Sequence, residues 1–136
     1  RELMRASLAI EPGLLLNGQF EPALTGQLMA DLLAHRHDFD GVLAADYQMA
    51  LAALRALQHA GLRVPEQVQV AGFGDGVEAA EAGLTTVAAD VVEQGRRGVR
   101  QLIGQMEGLR MRGVTVLNTS IIARATTRRP ETGAVR

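Results

Sequence analysis

Residues 39–75 leave this chain little choice of fold. A short apolar run at 41–45 is followed by a helical run at 47–60. Gly61 stops the helix, Val64-Pro65 turns the chain, and 68–73 is a second apolar run. That order predicts a strand–helix–strand unit. Parallel strands need such a crossover, and it is right-handed in nearly every case. Asp46 and Asp75 stand immediately past the two strands. In open α/β sheets that edge is where ligands bind.

The remaining sequence extends the pattern. Leu14-Leu15-Leu16 reads as a short strand ending at Asn17-Gly18. Pro22 suits the first turn of the next helix, which carries Leu24, Leu28 and Leu32 at four-residue spacing. The helix from Tyr47 is apolar nearly all round. Leu51 is expected on the face opposite Leu54, which points to a second face buried against another chain. An alanine-rich helix of high propensity with no partner is the competing account. Residues 76–83 form a loop, and residues 84–87 an extended piece. Asp90 with Glu93 three residues on has the pattern of a capping box. Val92, Val99, Leu102, Ile103 and Met106 then mark one apolar face of a helix ending near Gly108. Residues 114–125 read as one or two strands and 128–136 as a polar tail.

At 136 residues the chain is long enough to bury roughly two-thirds of its unfolded surface. It begins at Arg1 inside an apparent helix, with Leu3, Met4 and Leu8 on one side, so it is read as a fragment. A net charge of -1 argues against a general polyanion binder. With no cysteine there is neither a disulfide framework nor a thiolate metal site, which fits a cytosolic protein. No apolar stretch is long enough for a membrane span.

No catalytic constellation stands out. His35 and His37 form an H-x-H pair without an evident third ligand, and a solvated helix end explains them better than a metal site. The segment Gly72-Phe73-Gly74-Asp75-Gly76 lacks the lysine and spacing of a phosphate loop; its glycines are expected to let the chain turn at a strand end. Asp46 and Asp75 suit helix capping and turn formation as well as they suit an acid/base pair. Without a nucleophile, metal or cofactor motif, hydrogen bonding to a polar ligand is the better reading, and no enzyme activity is expected.

Several of these segments, in order, resemble the LacI/GalR family of ligand-responsive transcription repressors. They are Val42-Leu43-Ala44-Ala45-Asp46, Met49-Ala50-Leu51, Gly61-Leu62-Arg63-Val64-Pro65-Glu66, Ala71-Gly72-Phe73-Gly74-Asp75, Leu84-Thr85-Thr86-Val87, Asp90, and Ile122-Ala123-Arg124-Ala125-Thr126-Thr127. The resemblance implies the α/β, parallel-sheet lobe of a type I periplasmic-binding-protein-like core, helices on both faces, here incomplete. Residues 1–86 would belong to the C-terminal lobe. Residues 87–113 would cross into the N-terminal lobe, 114–127 would return, and 128–136 would be a tail. The DNA-binding domain would lie outside this chain.

The resemblance also implies partners and site residues. A small polar effector, most often a sugar, would bind between the lobes. Phe20 falls where an aromatic ring stacks on ligand, although plain core packing suits it equally. Asp46 stands where Asn is usual, and it could grip hydroxyls, cap the following helix, or do both. Gly74 replaces a ligand-contacting Asp, and Asp75 could substitute for it. Leu51 and Arg55 would lie in a homodimer interface. Operator DNA would be bound through the absent domain, in the cytoplasm. A periplasmic sugar-binding protein of a transporter shares the fold and is the alternative.

Overall fold

The computed structural model describes residues 11–109 and 113–128. It begins with a single 3-10 turn at Pro12–Leu14, followed by helix α1 (Pro22–Leu33) with Pro22 in its first turn. The expected strand at Leu14-Leu15-Leu16 is absent. Leu15 has extended dihedrals, but it lies 68% exposed and no sheet hydrogen bond reaches it. Apolar character alone does not make a strand when no neighbouring edge supplies ladder bonds. The helix expected within residues 1–10 lies outside the described residues.

The strand–helix–strand unit forms as the punctuation of the sequence predicts. It comprises β1 (Gly41–Ala44), α2 (Tyr47–His59) and β2 (Gln69–Phe73), with the two strands parallel. Gly61 ends α2 at a φ of 77°. Its N–H donates to the Gln58 carbonyl and that of Leu62 to the Leu57 carbonyl, so two orphan carbonyls of the last turn are satisfied. A left-handed residue is needed there, and glycine carries no Cβ penalty. A one-turn helix α3 (Val77–Glu81) leads to β3 (Thr85–Ala89), which is parallel to β2.

Helix α4 (Val91–Met106) follows, and β4 (Thr119–Ile122) returns antiparallel to β3, giving the sheet order β1-β2-β3-β4. Only four residues of the extended 114–125 stretch join the sheet. Asp90 caps α4 by accepting from the Glu93 N–H at 2.8 Å. The reciprocal arm of the expected capping box is not made. The Glu93 carboxylate instead pairs with Arg96 and Arg97 one turn on.

One face of the sheet is the core. Ala50, Ala53, Leu54 and Leu57 of α2 pack with Val70 and Leu84, while α1 adds Met29 and Leu33 beside α2. Leu57, Val70 and Leu84 are fully buried, each worth roughly 1.5–3 kcal/mol of apolar transfer. The other face carries Leu43, Phe73 and Ile121, which are 81%, 47% and 75% exposed. Helix α4 also keeps its apolar stripe in the open. Val92, Val99, Leu102 and Met106 are all more than half exposed, and the side-chain bond from Gln101 Nε2 to Thr115 Oγ1 runs to the returning segment. Among the described residues no helix is long and apolar enough to cross a membrane.

Candidate functional site

The C-terminal edge of the parallel strands brings Asp46, Gly74 and Asp75 together. Asp46 is the N-cap of α2, with extended dihedrals. Its Oδ1 accepts from the Gln48 N–H at 2.8 Å and the Met49 N–H at 3.4 Å. Such a cap contributes about 1 kcal/mol. Oδ2 accepts nothing from the described residues, so the capping role leaves one carboxylate oxygen free at the strand end.

Tyr47, the next residue, explains the glycines of the opposing loop. A Cβ on Gly72 would lie 2.8 Å from Ala50 Cβ and 3.0 Å from Tyr47 Cα. On Gly76 it would lie 2.6 Å from the Tyr47 hydroxyl, and on Gly74 3.3 Å from the ring. The glycines thus seat the first turn of α2 and its tyrosine against β2. Sequence reasoning assigned them to turning the chain, and a positive φ of 85° at Gly74 fits that, but close approach governs Gly72 and Gly76.

Asp75 is bound within the protein. Arg124 grips both its oxygens, at 2.7 and 3.0 Å, and the Thr86 hydroxyl donates to Oδ1 at 2.7 Å. The same guanidinium donates to the Leu84 carbonyl at 2.7 Å. Both side chains of the pair are less than a quarter exposed. Arg124 foremost, then Thr86, holds the Asp75 carboxyl below its ordinary range, and Asp75 raises Arg124 in turn. An aspartate so engaged is turned toward Arg124 and Thr86, which competes with any substitution for the missing side chain at Gly74. Arg124 lies 49 residues away in sequence, too far for local patterning to reveal the pair.

The segment after β4 is bound into the lobe by threonines that sequence reasoning left unassigned. Thr126 Oγ1 donates to the Val70 carbonyl at 2.7 Å and accepts from the Thr85 N–H at 2.8 Å. Thr85 and Thr127 pair through their hydroxyls at 2.8 Å. This network leaves no buried side-chain polar atom unsatisfied among the described residues.

Phe20 is not a core residue: it is 73% exposed. It follows Gln19 in the left-handed region, with φ of 57° and 51°, a conformation that costs a bulky L-residue of order 1 kcal/mol. Gly18, two residues earlier, abuts the Thr25 hydroxyl and Met49 in the first turn of α2. This strained corner therefore holds the Phe20 ring exposed just ahead of α1. Leu43, Ala45, Phe73 and Val87 line an open apolar depression of about 480 Å³ running over the strand ends.

Leu51 and Arg55 part company. Leu51, expected on an outward face, is 7% exposed and belongs to the core, because three-residue spacing puts it only about 60° from Leu54 on the same buried side of α2. Arg55 is exposed and borders a groove of about 870 Å³ between the two helices, floored by Gly26, Ala30, Ala52 and Ala56. Among the described residues no group of three or more His, Cys, Asp or Glu is placed to hold a metal ion. His37 instead reaches the Leu33 carbonyl at the end of α1, at 2.7 Å.

A parallel sheet with the crossover helix capped at the ligand edge matches a known architecture. Residues 5–127 match the periplasmic binding protein-like domain. The chain belongs to that family. This periplasmic binding protein-like chain is 34% identical over 121 residues to the transcriptional repressor MelR of Bacillus subtilis, covering 87% of the chain and 35% of the repressor. It superposes with a TM-score of 0.84 on a transcriptional regulator CelR–cellobiose complex, at 34% identity, over 91% of this chain and 39% of that one. A LacI family regulator from Arthrobacter in complex with lactose matches at a TM-score of 0.79 and 29% identity, over 93% of this chain and 48% of that one. The LacI-type resemblance drawn from its sequence segments is thus shared by relatives and by fold. The chain spans about a third of the length of the curated relatives it matches.

Proposed function

We propose that this chain is the sensing portion of a LacI-type transcription regulator, a repressor, and that it binds a sugar effector at the strand-end edge of β1–β3. The observation that carries the reading is the Asp46 oxygen that the helix cap leaves free at the strand ends; the exposed, strained Phe20 supports it as a ring the fold does not use for packing. A carboxylate accepts from two sugar hydroxyls, and a ring face suits the apolar side of a pyranose. The regulators bound to cellobiose and lactose support a sugar as the class.

The domain layout follows from the same reading. Residues 1–86 belong to one lobe, 87–113 cross to a second and 114–127 return. The uncovered stripe of α4 supports that layout, since Val92, Val99, Leu102 and Met106 need a partner. The groove beside Arg55 is the surface where a second copy would seat, and Leu51 supports it from inside. Effector closure of two lobes, with DNA heads beyond them, couples sugar and operator affinity reciprocally. Such a protein works in the cytoplasm without catalysis or a cofactor.

The test is the full-length parent protein. Its N-terminal sequence should contain a helix-turn-helix, and a gel shift on its operator should respond to one member of a panel of mono- and disaccharides. A secretion signal in place of the DNA-binding head would overturn the regulator and favour a periplasmic sugar carrier. Sedimentation of Arg55→Glu should show a weakened dimer; an unchanged dimer would remove the groove from the interface.

A further inference from the structure

The strand-end edge is unusual in what it withholds. The loop after β2 offers a ligand no free carboxylate, because position 74 is glycine and Asp75 is occupied by Arg124 and Thr86. What stands over that loop is the Tyr47 ring, part-exposed, with its Cδ1 at 3.3 Å from where a Gly74 Cβ would be. Its hydroxyl is loosely held. It reaches Glu78 at 3.4 Å and Gln48 at 3.5 Å, the long limit of hydrogen bonding. Leu43 and Phe73, at the ends of the neighbouring strands, are exposed apolar side chains. Asp46 Oδ2 accepts nothing from the described residues, and the Glu78 carboxylate stands at the tyrosine hydroxyl.

We infer that Tyr47, seated on Gly74 and Gly76, is a specificity-determining residue that selects glycosides with an apolar or aromatic aglycone over compact, fully hydroxylated sugars. The inference rests on the sugar-binding reading above. The Tyr47 ring directly follows Asp46, so a ligand anchored on the free Asp46 oxygen meets an aromatic surface next to that anchor. A sugar hydroxyl cluster laid against the face of the tyrosine ring would lose its water without regaining hydrogen bonds, which is unfavourable. An aryl or alkyl group there gains stacking and apolar burial instead. Any side chain larger than hydrogen at position 76 would displace the tyrosine hydroxyl, so the loop sequence and the tyrosine act as one unit.

The experiment is calorimetric titration of the full-length protein with methyl and phenyl α- and β-glucosides and galactosides, for wild type, Tyr47→Ala and Tyr47→Phe. Wild type should bind its preferred phenyl glycoside about tenfold more tightly than the matched methyl glycoside, the factor expected of one stacking contact. Tyr47→Ala should lose that preference while keeping the methyl glycoside within about threefold, and Tyr47→Phe should retain it, with circular dichroism confirming that each variant folds. Glycoside binding with equal phenyl-to-methyl ratios in wild type and Tyr47→Ala overturns the role of Tyr47 but leaves the sugar site standing. No heat with any glycoside overturns the sugar reading and this inference with it.

Discussion

Replacing Gly72 by alanine tests the seat of α2 directly. The added methyl would meet Ala50 Cβ at 2.8 Å, Tyr47 Cα at 3.0 Å and the Asp46 carbonyl oxygen at 3.4 Å. Carbon contacts settle at about 3.5–4.0 Å, so α2 must retreat from β2 by about 1 Å. The Tyr47 contact is backbone, and no rotamer change absorbs it. Overpacking of this kind costs about 1–3 kcal/mol, and removing a strand glycine returns about 0.5–1 kcal/mol, so the expected net loss is about 1–2 kcal/mol. Thermal unfolding of the full-length variant, followed by circular dichroism, should show Tm lowered by about 2–6 °C. The same retreat lifts Tyr47 from Gly74, so the aryl preference should fall together with stability. A variant with unchanged Tm would refute the close packing of α2 on β2, and the account of Tyr47 built on it.

Three further outcomes are expected. Asp75 has a carboxyl lowered in the folded state, so its stabilising effect is present above the unfolded value near 4 and is lost as pH falls through the folded one; Asp75→Asn should flatten the acid limb of a stability-versus-pH curve between about pH 5 and 2, and an unaltered limb would refute the pairing with Arg124. Asp46→Asn should keep the helix cap and Tm, because an amide oxygen still accepts from the backbone, but should weaken sugar affinity in titrations; Asp46→Ala should also lose about 0.5–2 kcal/mol of stability in urea unfolding. Leu102→Asp, on the open stripe of α4, should leave this chain's own core untouched yet destabilise the full-length protein by about 1–3 kcal/mol in urea melts, and an unaffected full-length protein would argue that nothing covers α4.

Local chemistry made some of this legible in sequence. The 41–73 unit could be read because Gly61, Pro65 and two apolar periods all act within a few residues. The caps at Asp46 and Asp90 were legible for the same reason. What depended on distant partners was not. Leu14–Leu16 has strand composition, but a strand exists only where an edge receives it. Leu51 is a different case: read as the outward side of α2, it lies by three-residue spacing only about 60° from Leu54 around the helix and is buried with it. Asp75 looked free because Arg124 is remote, and the glycines at 72 and 76 carried no sign that a tyrosine 25 or more residues earlier would rest on them.

The pairing of β3 with β4 has a mechanical consequence. The outgoing and returning chains run side by side, with Thr86 opposite Ile122 and Ala89 opposite Thr119. Whatever lies beyond them is tethered by a two-stranded strap rather than by two independent cords. Sliding one strand along the other would break the ladder, whereas bending or twisting the ribbon leaves it whole. On the two-lobe reading proposed above, motion of the second lobe would favour rotation over sliding, and a ligand at the strand ends would act at the root of that pivot.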